Sequence, residues 1–192
     1  YAQRENVLSA LSVVSSISNI FNIIFQGLSI GIGVLVGAYL GESKFKEAKD
    51  YAKKVYMLGL LVSVIFGFFI IVLSPVLPSL FREVTSEQKT LASTMLFGYG
   101  FLLWGNCLYC CCYVTLKTGG EALTTILIDS GMMWCIGVPV AWILALKTDV
   151  SLLYIFLFVT SFDIIKFVIS YIFVKKEKWV RNLTLDVENG GV

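Results

Sequence analysis

Long stretches of this sequence carry no charged side chain, and that limits the chain to very few environments. Residues 6–41, 55–81 and 90–116 contain no Asp, Glu, Lys or Arg. Residues 122–146 are interrupted only by Asp129, and residues 150–174 only by Asp163 and Lys166. One helical crossing of a bilayer takes about 20 apolar residues, and a helical hairpin about 40 plus a turn. The first run is therefore one long tilted helix, and the five runs predict five spans. Composition agrees: 57% of residues are hydrophobic and 15% charged, against about 25% charged in a soluble domain. The fold class expected is an all-α membrane protein, a polytopic helical bundle.

Five spans place the two chain ends on opposite sides of the bilayer. One set of connections holds Lys44, Lys46, Lys49, Lys53, Lys54, Lys117, Lys175, Lys176, Lys178 and Arg181. The other holds Arg4, Arg82, Lys89 and Lys147. Cytoplasmic loops collect Lys and Arg, so the Lys-rich loop and the C-terminus are expected in the cytoplasm. Pro75 and Pro78 are expected to close the second helix, and Gly119-Gly120 to separate the third from the fourth. Ser43 is a candidate cap for a basic helical extension over residues 44–54, with Lys46/Asp50 and Asp50/Lys54 as i,i+4 pairs. A net charge of +2 offers no field for nucleic acid.

Two polar seams run through the apolar helices. Ser12, Ser15, Asn19, Asn22, Gln26 and Ser29 recur at spacings of three and four, and Gly33 and Gly37 continue the same face. Hydrocarbon cannot hydrogen-bond these groups, so the face must meet another helix or water. Helix packing is one reading, since Gly27/Gly31 and Gly33/Gly37 are GxxxG pairs. Cavity lining is the other. On the third helix Tyr99, Asn106, Tyr109 and Tyr113 share a face. Their rings and hydroxyls suit an organic cation or a satisfied core equally.

Asp129, Asp163 and Lys166 lie within spans, where an ionisable group must be paired or hydrated. Asp163 and Lys166 are i,i+3 and are expected to pair directly. Pro139 is expected to kink the fourth helix. Trp142 and Trp179 fall near opposite interfaces and read as belt anchors. Cys107, Cys110, Cys111, Cys112 and Cys135 sit in apolar runs. The three consecutive cysteines point about 100° apart on a helix and cannot converge on one ion, so no metal site is expected. Histidine is absent. No P-loop, dinucleotide-binding or hydrolase motif occurs, which argues against an enzyme.

Three segments resemble one transporter family. Residues 35–54, LVGAYLGESKFKEAKDYAKK, resemble its L-V-G-x-x-L-G stretch and the charged loop after it. Residues 116–141, LKTGGEALTTILIDSGMMWCIGVPVA, resemble its L-R-x-G-G-D-T segment, with Lys117, Gly119, Gly120, Glu121 and Pro139 at the motif positions. Residues 163–184 resemble its closing helix and K-W-x-x-N-L ending. The family is MATE, the multidrug and toxic compound extrusion transporters, and the nearest branch is the bacterial DinF-like one.

The resemblance implies a twelve-helix fold in two six-helix lobes, with the five spans here as the eighth to twelfth helices. Residues 1–184 would then be the C-terminal lobe and 185–192 a cytoplasmic tail, with the N-terminal lobe as its missing partner. It implies a multi-pass protein of the plasma membrane that exports organic, often cationic, compounds in exchange for Na⁺ or H⁺, with no other cofactor. Asn19, Asn22, Gln26, Asn106, Tyr109 and Tyr113 are the expected cavity-lining residues. Lys117 and Glu121 replace the usual Arg and Asp, keeping charge but not the guanidinium fork. Asn106 stands where the NorM branch has a cation-coupling acid. Two other readings remain: a lipid-linked oligosaccharide flippase of the same superfamily, and a truncated membrane scaffold that transports nothing.

Overall fold

The computed structural model describes residues 2–81, 84–147 and 152–182. Arg82, residue 150 at the start of the expected fifth span, and the tail over 185–192 lie outside them. The elements are α1 (Ala2–Gly41), α2 (Phe45–Leu73), a 3₁₀ turn (Leu77–Leu80), α3 (Ser86–Thr118), a fourth span and α6 (Leu152–Lys175). The fourth span runs through α4 (Ala122–Ile126), two π-helical stretches (Leu127–Gly131 and Met133–Gly137) and α5 (Val138–Lys147). Five helices among the described residues are long and apolar enough to cross a membrane. The chain is an all-α membrane protein.

The first run is one uninterrupted helix of 40 residues. Its apolar part, Leu8–Gly41, measures about 50 Å at 1.5 Å per residue, well beyond the roughly 30 Å hydrocarbon core. Even a tilt of about 40° leaves it too long, so its ends pass into the headgroup region.

α3 is the axis of the bundle, packed by α1, α2 and α6. Glycines permit these approaches. A Cβ on Gly67 of α2 would lie 2.6 Å from the Gly100 carbonyl oxygen of α3, and one on Gly105 2.6 Å from Ile164 of α6. Two apolar clusters stack along the axis. One gathers Val14, Phe25, Ile70, Met95, Leu96 and Leu103; the other gathers Ile32, Val36, Cys111, Leu116 and Trp179 at the end carrying the Lys-rich loop. Cys107, Cys111 and Cys112 are buried in these clusters, and Cys107 Sγ lies 3.4 Å from the Gly59 carbonyl.

α2 ends at Leu73, just before Pro75, and α3 at Thr118, just before the two glycines, as expected. Thr85 and Gln88 form a capping box at the start of α3. Several local expectations fail. Ser43 does not cap α2: it adopts φ 57°, and Lys44 holds the N-cap position without a side-chain bond. Lys44 pairs with Glu42, whose hydrogen bond raises the lysine pKa above its usual value. Neither Asp50 pair forms; Lys49 reaches across to Glu177 instead.

Trp179 is no interfacial anchor. It is 2% exposed, with its indole N–H donating to the Val174 carbonyl at 2.9 Å and its backbone seated where Gly119 has no side chain. Arg181 donates to the Gly119 and Gly120 carbonyls, and Asn182 to the Gly41 carbonyl and Ser43 Oγ. The segment after α6 thus ties two loops at one end of the bundle. Trp142, by contrast, is 63% exposed.

The disturbance expected at Pro139 takes the form of a π-helical stretch just before it. Proline cannot donate to the carbonyl four residues back and crowds that turn. The preceding turn widens, and the Val138 N–H bonds to the Met133 carbonyl, five residues back.

Candidate functional site

The seam on α1 divides among three environments. Its glycine end packs on α3: a Cβ on Gly33 would lie 3.3 Å from Val114, and one on Gly37 3.2 Å from Thr118. A Cβ on Gly27 or Gly31 would meet nothing within 4 Å, so among the described residues only the Gly33/Gly37 pair packs on another helix. Asn22 is half-buried, and its Oδ1 accepts from the Tyr99 hydroxyl at 3.4 Å. Ser29 is buried, with its hydroxyl unpartnered. Ser12, Ser15, Asn19 and Gln26 are exposed. Hollows of ≈ 320 and ≈ 570 Å³ lie between α1 and the Leu77–Leu80 turn. Neither is lined by Asn19, Asn22, Gln26 or Asn106. Ser12, at one end of the seam, borders the larger hollow, and Asn19 and Gln26 lie on an open face.

A second polar group sits where α3, the fourth span and α6 meet. Asn106 Nδ2 donates to Asp163 Oδ2 at 2.9 Å, and Lys166 Nζ donates to Asp129 Oδ1 at 2.7 Å. The same ammonium lies 5.3 Å from the centre of the Tyr109 ring, within cation–π range. Tyr113 stacks at a tilt on Tyr109, with centroids 5.9 Å apart. The direct Asp163–Lys166 pair expected from their spacing does not form. Asp163 takes the Asn106 amide, and Lys166 crosses to the fourth span. Sequence offset registers only neighbours on one helix; the Asp129 partner is 37 residues away. Inside a bilayer, such crossing bonds relieve two helices at once.

Exposure within the group is uneven. The Lys166 side chain is 10% exposed and that of Asp129 45%. Asn106 Oδ1 is buried without a partner, and so is the Tyr109 hydroxyl, although it lies beside Asp129. The motif positions fall at the neighbouring loop. Lys117 is exposed, and Gly120 adopts φ 84°, a left-handed conformation open to glycine. Glu121 precedes α4 and accepts from Thr124 Oγ1 at 2.8 Å. Pro139 is exposed on the fourth span.

Of the predicted residues, the fold brings Asn22 to the face of Tyr99, and Asn106, Tyr109, Asp129, Asp163 and Lys166 into one cluster. Asn19 and Gln26 join neither group. The role of Trp179, Arg181 and Asn182 escaped the sequence reading, although the Gly119-Gly120 pair and the W-x-x-N ending were its visible halves.

No curated protein and no solved structure matches the chain. A family-level sequence comparison matches MatE over residues 4–143, from the start of α1 into α5. Five membrane-length helices with polar and ionisable groups among them fit that match, and the chain belongs to the MatE family of multi-pass membrane transporters.

Proposed function

We propose that this chain forms the C-terminal lobe of a DinF-like antiporter. In this reading it exports organic cations across the plasma membrane in exchange for Na⁺ or H⁺, with the C-terminus cytoplasmic. The observation that carries it is the Asn22–Tyr99 contact. It seats Asn22 of the α1 seam against Tyr99 of α3, between the exposed amides Asn19 and Gln26 of the same helix. Polar groups on such a face need water or a second protein surface, and rocking of two lobes about a shared wet crevice supplies both in turn. Asn19 and Gln26, exposed here, are then the residues that meet cargo or the opposite lobe.

Cargo charge follows from the ionisable groups. A flippase for anionic lipid-linked sugars calls for unpaired cations in the crevice. Lys166 is already paired with Asp129, while two carboxylates and three tyrosines favour a positive cargo. Efflux of a fluorescent cation by the full-length protein, with Na⁺ and pH gradients imposed separately, tests the reading. Substituting Asn22, Gln26, Asn106 or Tyr113 by Ala should cut efflux while leaving the protein in the membrane. Undiminished efflux in all four variants would remove these residues from the transport path.

A further inference from the structure

Two carboxylates and one ammonium share the junction of α3, the fourth span and α6. Lys166 bonds Asp129, whereas Asp163 has only the Asn106 amide. With both acids ionised, one negative charge is uncompensated, a costly state in a low-dielectric setting. The junction also holds polar capacity that nothing uses. The Tyr109 hydroxyl and Asn106 Oδ1 are buried without partners, and Tyr109 as a whole is only 8% exposed. The cluster is thus short of one positive charge and rich in unmatched oxygen atoms.

Lys166 has a second seat within reach. Asp163 lies three residues away on the same helix, where side chains are neighbours, so a change of lysine rotamer suffices. Asp129 is the carboxylate open to approach, and the lysine is nearly covered. A cation entering from the open side meets Asp129 first.

We propose that Lys166 is a tethered counter-cation that yields Asp129 to an incoming monovalent cation and moves to Asp163. The exchange leaves two positive charges on two carboxylates and cuts the ion pair joining the fourth span to α6. The fourth span has little else to hold it: 11% of its apolar stretch is buried. Cation loading is thereby converted into release of one helix. This deepens the antiporter reading and rests on it for its consequence, not for the exchange itself. Tyr99, Tyr113 and Cys110 also border the cluster, so pH is held constant in the test.

The test uses the purified full-length protein with two probes, tetraphenylphosphonium bromide and NaCl, and neutral triphenylphosphine oxide as control. Equilibrium binding of each cation is measured, together with the N-ethylmaleimide labelling rate of Cys135, resolved by mass spectrometry. Cys135 is exposed on the fourth span and reports its packing. In wild type, at least one cation should change the labelling rate and the neutral control should not. Asp129→Asn should hold the rate at its cation-loaded value with or without cation. Lys166→Met removes the internal competitor, so the cation should bind about ten-fold more tightly, with no further change in rate.

Asp163→Asn removes the second seat and should weaken binding about ten-fold. Should Lys166→Met fail to fold, Lys166→Met/Asp163→Asn takes its place and should also bind more tightly than wild type. A wild-type rate indifferent to both cations, or no gain in affinity without the lysine, overturns the exchange. Dye efflux measured alongside separates the two ideas. A labelling response without efflux removes the antiporter reading alone, and efflux without a response removes the exchange alone.

Discussion

α3 and the fourth span cross the same bilayer and are packed in opposite ways. In α3, 61% of the residues in the apolar stretch are buried; in the fourth span, 11% are. Yet α3 is the least apolar of the five spans. In water that order would be perverse. In lipid it is natural, because hydrocarbon tails are as apolar as Leu and give no reward for burying it. Polar groups and small residues decide what goes inside, and α3 has both: Asn106, Thr115 and three tyrosines, with Gly98, Gly100 and Gly105 at its contacts. The fourth span shows Leu123, Leu127, Trp134 and Trp142 to its surroundings and pairs Asp129 with Lys166. One helix is a fixed axis; the other is lightly attached.

The contrast breaks first at the α2–α3 contact, where the largest effect is expected. Replacing Gly67 by Val puts a side chain 2.6 Å from the Gly100 carbonyl oxygen. Backbone faces backbone there, so nothing flexible can yield. Thermal stability of the full-length protein should fall by about 3 kcal/mol, the upper end for overpacking. An unchanged melting temperature would mean that α3 is not gripped as described.

How far the sequence reached differs between these helices in the same way. Span number, the single long first helix and the stops at Pro75 and Gly119 follow from missing charges and from turn chemistry, both local. Face-sharing was legible too, since a 3.6-residue period puts Asn22 and Gln26 on one side. What meets that face was not, because periodicity is blind to neighbours. Asn22 found Tyr99, while Gln26 stays exposed among the described residues. The i,i+3 spacing pairs Lys166 with Asp163 because a sequence displays only neighbours on the same helix. Trp179 was placed at the interface by its position in the chain, whereas Gly119 supplies the empty space that buries it.

Next in size comes the junction after α6. Asn182→Ala removes bonds to the Gly41 carbonyl and Ser43 Oγ and should cost about 2 kcal/mol, two ordinary hydrogen bonds. Limited proteolysis should then cut the residue 41–44 loop faster; an unaltered rate would show that the clasp carries no load. A smaller loss is expected within the axis. Tyr56→Phe deletes the 2.7 Å bond to Thr115 Oγ1, but Thr115 still donates to the Cys111 carbonyl at 2.9 Å. Thr115 keeps a partner, so about 1 kcal/mol is the expected cost. A loss much above that would mean Tyr56 contributes more than its hydroxyl.

The smallest effect is expected on the fourth span, and it sharpens the contrast most. A Cβ on Gly131 meets nothing within 4 Å, and this glycine has no left-handed backbone to protect. Alanine in an ordinary helix would gain up to about 1 kcal/mol over glycine, but Gly131 closes a π-helical stretch, where that preference is weaker. Gly131→Ala should therefore shift stability of the full-length protein by less than about 0.5 kcal/mol, in the stabilising direction. The same substitution asks whether the fourth span is bare in the whole transporter or only in this chain. If a helix from the opposite lobe came close at Gly131, the added methyl would wedge the two apart. Stability would then fall by more than about 1 kcal/mol, and the lightly held helix would be an interface instead of a lipid-facing surface.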